Sequence, residues 1–81
     1  DMKVIGNFEF VGIEEIQGKK DPSKTFYNVV LLQDMDSIKV FANFEDVIKF
    51  EGFKKLDKLQ CALDIKVGAK TYINIIDVKK I

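Results

Sequence analysis

The stretch Thr25–Ala42, TFYNVVLLQDMDSIKVFA, limits the fold more than any other part of the chain. Two runs rich in β-branched and aromatic residues, Thr25–Gln33 and Ser37–Ala42, flank a short polar break at Asp34-Met35-Asp36, the pattern of an antiparallel hairpin. With the turn centred on Met35-Asp36, Leu31 faces Val40 and Val29 faces Ala42, and with Tyr27 and Ile38 they make one apolar side. The other side carries Phe26, Asn28, Val30, Leu32, Lys39 and Phe41. One side is core, and the other is either covered or used. A loop longer by one residue would exchange the sides and carry the aromatics inward.

Around this hairpin the chain reads as further strands. Met2–Ile16 is a long first strand in which Val4, Gly6, Phe8 and Phe10 alternate on one side and Val11 and Ile13 continue on the other. The slip at Phe10-Val11-Gly12 has the form of a β-bulge, and a strand bent there serves both halves of a small barrel. Gln17–Lys24, QGKKDPSK, is a polar loop with three lysines. Asn43–Phe50 changes period and reads as a short helix, with Asn43 as its cap, Glu45 and Asp46 in its first turn, and Phe44, Val47, Ile48 and Phe50 at helical spacing. Gly52 ends it and Phe53 packs where the chain leaves. Lys49, Glu51, Lys54, Lys55, Asp57 and Lys58 read as a solvated face.

Leu59, Cys61, Leu63, Ile65 and Val67 alternate with polar or small residues as a fourth strand. Gly68-Ala69-Lys70 turns the chain into a last strand, Thr71–Lys79, where Ile75-Ile76 breaks the alternation. Ile73 and Ile75 then oppose Tyr72, Asn74, Ile76 and Val78, so this strand reads as apolar on both sides, with the excess covered by the helix or by a second copy of the chain.

At 81 residues there is room for one domain, and a hydrophobic content of 47% suffices to fold it. A single cysteine excludes an internal disulfide framework and suits a reducing compartment, which makes a cytoplasmic location the expectation. Asp1 ahead of Met2 reads as a cloning remnant. Histidine and arginine are absent and the formal net charge is zero. Without histidine the commonest general base and metal ligand is missing. Glu14-Glu15 point to opposite sides of a strand and Asp34/Asp36 sit in a turn, so no catalytic pair, metal site or cofactor is expected.

The order of long bent strand, basic loop, hairpin, short helix and second hairpin resembles the OB-fold, a five-stranded Greek-key barrel with one helix between its third and fourth strands. Phe53–Leu59, FKKLDKL, resembles the lead-in to an OB fourth strand. Lys66-Val67-Gly68 before the last strand, with Ile76-Asp77 near its middle, is similar to the small phage and plasmid single-stranded-DNA-binding proteins, the filamentous-phage helix-destabilising type among them. The resemblance implies sequence-tolerant binding of single-stranded DNA in phage or plasmid replication, and a homodimer. It places nucleic-acid contacts on Lys19, Lys20 and Lys24 in the first loop, on Phe26 and Phe41 in the central hairpin, and on Lys70 and Tyr72 at the last one; Lys39 joins them as the lysine beside the two aromatics on the hairpin's outer side, the makings of a base-stacking platform. Each residue has a plainer reading beside it. The phenylalanines equally suit a core or a partner-protein contact, the loop lysines solubilise, and Tyr72 is a cross-strand partner of Ile65. Tyr27 is expected in the core with its hydroxyl at the rim, and Cys61 as a small buried hydrophobe. A protein-contact module and an RNA-binding subunit are the alternatives, since stacking and phosphate contacts serve RNA equally.

Overall fold

The computed structural model describes residues 2–81; Asp1, read as a cloning remnant, lies outside the described residues. Five strands form one antiparallel sheet: β1 (Met2–Gln17), β2 (Thr25–Gln33), β3 (Asp36–Ala42), β4 (Lys58–Val67) and β5 (Thr71–Lys80). Between β3 and β4 lies α1 (Phe44–Val47), continued by a tighter 3₁₀ turn over Ile48–Phe50. The order across the sheet is β3-β2-β1-β4-β5. The two end strands come within 8 Å of each other at Cα level, so the sheet curls strongly. No hydrogen-bonded ladder joins them among the described residues.

The long first strand makes this curl. Its first half, Met2–Glu9, pairs with β4 and its second half, Glu9–Gln17, pairs with β2. The register slips between Phe10 and Gly12, where the sequence breaks phase. At the slip Phe10 lies opposite Leu31 of β2, and its backbone bonds to the segment entering β4. Its N–H donates to the Asp57 carbonyl at 2.9 Å and its carbonyl accepts from Leu56 N–H at 2.6 Å. The loop thus satisfies the backbone groups of Phe10, the residue just before the extra one, on the side where the β4 ladder has ended. Leu56 takes a left-handed φ of 72° to reach it.

The core face holds Phe10, Val29, Leu31, Val40, Ala42, Phe50, Leu59, Cys61, Leu63 and Ile75, with Phe8, Ile38, Val47, Phe53, Ile73 and Val78 packed around them. Phe10, Phe50 and Phe53 form its aromatic end, with centroids 5.7 to 6.3 Å apart in stacked and edge arrangements.

Four expectations need correction. First, Leu31 pairs with Ile38 and Val29 with Val40, two residues away from the expected register. Asp34, at φ 55°, tolerates the left-handed region as short polar residues do, and this closes a tight two-residue loop over Asp34-Met35. A slip of two residues preserves which face each side chain occupies, so the core and outer sides of the hairpin are as read. Second, the helical stripe is only half buried. Asn43 does cap the helix, its Oδ1 accepting from Asp46 N–H at 2.9 Å, and Gly52 does take a positive φ, 87°. Yet Phe44 and Ile48 are exposed, while Val47 and Phe50 face the core, because a single α turn followed by a 3₁₀ turn rotates the later residues. Third, Asp57 belongs to no solvated face. Its Oδ2 accepts from Lys54 N–H at 2.8 Å and lies 3.6 Å from Lys80 Nζ.

The fourth correction concerns β5. The register slips so that Ala62 pairs with Asp77 but Leu63 with Ile75, leaving Ile76 as the extra residue. Past that bulge Val78 pairs with Cys61 and turns to the core, so the strand is apolar outward only at Tyr72 and Ile76. The surplus apolar face that suggested a second copy largely disappears.

Candidate nucleic-acid interface

The face opposite the core is built from β2 and β3 and is flanked by two loops. Phe26 and Phe41 project from it as a tilted pair with centroids 5.4 Å apart. Phe41 keeps 56% of its surface exposed, while Phe26 is half buried beneath the first loop. Their placement outside the core follows from parity: Val29, Leu31, Val40 and Ala42 occupy the inward positions, so residues one step away must face out.

Two shallow depressions share a residue with this pair, and a third joins the second of them through Tyr72. Gly18, Lys19, Lys20, Asp21 and Lys24 line the first together with Phe26. Lys39, Phe41 and Asn74 line the second together with Tyr72 from β5. Lys66, Gly68 and Lys70 line the third, again with Tyr72. A continuous track thus runs from the lysine loop over Phe26 and Phe41, past Tyr72, to the β4–β5 turn. All eight residues singled out from the sequence lie along it. Tyr72 is 60% exposed and pairs with Lys66; Ile73, not Tyr72, is the partner of Ile65.

The first loop is a folded unit. Gly18 N–H donates to the Lys24 carbonyl at 2.9 Å and Lys24 N–H to the Asp21 carbonyl at 3.0 Å. Ser23 donates both its hydroxyl and its backbone N–H to Asp21 Oδ1, and these bonds hold the Asp21 carboxyl below its ordinary pKa. At Gly18 any Cβ would lie 2.7 Å from the Asp21 carbonyl oxygen, so only glycine lets the loop close this tightly. The turn spends its one acid on its own backbone and presents its three lysines outward.

Lys39 differs from the other cations of the track. Its Nζ lies 3.0 Å from Glu14 Oε1, reaching across β2. Sequence reasoning missed this pair, because it depends on the register of three strands at once. Asn28 and Asn74, on the outer sides expected of them, also border the track: Asn28 lies directly opposite Phe41 and Asn74 joins the second depression. Tyr27 is only partly buried and lies beside Phe44, ring centroids 6.5 Å apart, at the helix end of the hairpin. Cys61 is buried, and burial pushes its thiol up to about 11.

Among the described residues no cluster of three His, Cys, Asp or Glu side chains is disposed to hold a metal ion, and no helix is long and apolar enough to cross a membrane. Comparisons with protein-family models, curated proteins and solved structures find no match.

Proposed function

We propose that this chain is a non-enzymatic OB-type module that binds single-stranded DNA with little sequence preference. The observation that carries the reading is the aromatic track of exposed Phe41 and Tyr72 with half-buried Phe26 beside them, bounded at one end by Lys19, Lys20 and Lys24 and at the other by Lys70. Exposed rings on a rigid sheet offer stacking to any base, because each base has a π-face, and lysines at both ends neutralise the backbone that the bases carry with them. The strand order β3-β2-β1-β4-β5, the curl that brings β3 beside β5 and the helix between β3 and β4 all support the five-stranded Greek-key barrel. In such a barrel the track lies on β2 and β3 between the first and last hairpin loops.

Binding is moderate. The net charge is zero and Lys39 is already paired, so few unpaired lysines reach phosphate and the affinity is on the order of micromolar. With about four phosphate contacts, log K falls against log salt with a slope near −3. Fluorescence-anisotropy titration of oligo-dT, oligo-U and duplex DNA at low and moderate salt tests the reading. Binding of oligo-dT well above duplex supports it. Preference for oligo-U reassigns the module to RNA, and no binding of any of the three at low salt leaves the aromatic face to a partner protein. Action in phage or plasmid replication and in the cytoplasm belongs to this proposal, as does a homodimer, which sedimentation equilibrium at tens of micromolar protein tests.

A further inference from the structure

The cation nearest the middle of the aromatic track is the one that is not free. Lys39 and Glu14 are each about half exposed, 59% and 47%, yet they meet at 3.0 Å across an intervening strand. Glu14 pairs with Asn28 and Asn28 with Phe41, so the carboxylate stands on the stacking face in the same cross-strand row as the Phe41 ring. An acid in that place has two effects on a single strand. It occupies the ammonium that phosphate would otherwise meet, and it adds a negative charge beside the path of a polyanion.

We infer that Glu14 sets the affinity of the site: it holds Lys39 in the unliganded protein and is displaced by a backbone phosphate when a single strand stacks on Phe41. This rests on the single-strand reading of the track. The exchange is one of ion pairs, Lys39–carboxylate for Lys39–phosphate, with no covalent change. It is accessible because half-exposed pairs of this kind are weak and are easily traded for another anion. The released carboxylate takes up a cation from solution, which offsets one of the counterions that the DNA gives up. The salt dependence of the natural protein is therefore shallower than its lysines alone would produce. The plainer role, a tie between β1 and β3, predicts a change in melting temperature with no change in affinity or salt slope.

Glu14→Gln separates the two, since it keeps the side chain's shape and an acceptor for Lys39 but removes the charge. Oligo-dT binding is expected to tighten roughly 1.5- to 5-fold, the range spanned by exposed ion pairs. The slope of log K against log salt should steepen by up to about 0.7, because no released carboxylate takes back part of the one counterion that the Lys39–phosphate contact frees. Glu14→Ala, with no acceptor at all, should repeat the gain. If both variants melt cooperatively and bind oligo-dT as the natural protein does, Glu14 is a tie and the inference is overturned alone. If the natural protein binds no oligo-dT at low salt, the single-strand reading falls and takes this inference with it.

Discussion

Phe41→Ala is the most informative single change, because stability and binding should respond to it on different scales. Phe41 keeps 56% of its surface exposed, so folding buries a little under half of it. Full burial of such a side chain contributes about 1.5–3 kcal/mol, and the buried part of Phe41 therefore about 1 kcal/mol. The tilted contact with Phe26 at 5.4 Å adds about 0.5–1 kcal/mol. A total of about 1.5–2 kcal/mol lowers the melting temperature by roughly 6–16 °C in a domain of this size and leaves it folded at 20 °C. Phe50, buried at the aromatic end of the core, provides the contrast, since Phe50→Ala should cost about 3–5 kcal/mol. For binding, loss of a stacking platform costs about 1–3 kcal/mol, or roughly 5- to 150-fold in Kd for oligo-dT. The salt slope should not change, because no phosphate contact is removed. Anisotropy titrations at three salt concentrations, beside thermal melts of both variants, give all of these quantities. Two results would refute the reasoning. One is a folded Phe41→Ala protein that binds oligo-dT as tightly as before, and the other is unfolding as severe as that of Phe50→Ala.

Replacing Lys20 and Lys24 together by alanine should weaken binding and flatten the salt slope by about 1.4, two single-strand phosphate contacts, while the melting temperature stays within a few degrees. Leu63→Ala, on the core face of β4, should cost about 2–5 kcal/mol by chemical denaturation; a negligible cost would show that β4 presents its other face inward. Asp21 and Asp57 both titrate below their ordinary value of 3.8, Asp21 through its bonds from Ser23 and Asp57 first through the Lys54 N–H and then through Lys80. A lowered folded-state pKa contributes stability that is complete above the unfolded value and is lost as pH falls through the folded one. Melting temperature should therefore be flat above about pH 5 and decline below about 4, and Asp57→Asn should remove part of that decline. Cys61, buried and with a raised pKa, should react with a thiol reagent at pH 8 only at the rate of unfolding, a rate that denaturant accelerates.

The sequence disclosed those features that depend on side-chain parity along one strand. The inward set Val29, Leu31, Val40 and Ala42 was legible because alternation survives an error of two in register, whereas the register itself turned on one residue, Asp34, adopting a left-handed φ. Both bulges were legible as breaks in alternation, at Phe10-Val11-Gly12 and at Ile75-Ile76. Alternation alone hides what the second does: Val78 changes face beyond it, which removes most of the case for a covered outer side. The helix was found by its cap, Asn43, but four residues of α-helix are too few for periodicity to say which side is buried. Of the candidate site, the aromatics and the loop lysines could be read off because they are local to strands and a turn. The Glu14–Lys39 pair could not, since it joins residues 25 apart in sequence through two ladders.

The missing ladder between β3 and β5 gives the track a mechanical property. Phe41 stands on one side of that seam and Tyr72 on the other, and among the described residues no backbone hydrogen bonds tie the two strands together. The seam is the place where the curled sheet can widen without breaking a strand pair, so no ladder across it fixes the spacing of its two rings. A strand of nucleic acid stacked on both would act as a clasp across it. Outward-facing amides along these two edges should then exchange with solvent faster than those of β1, and should slow when the clasp is in place.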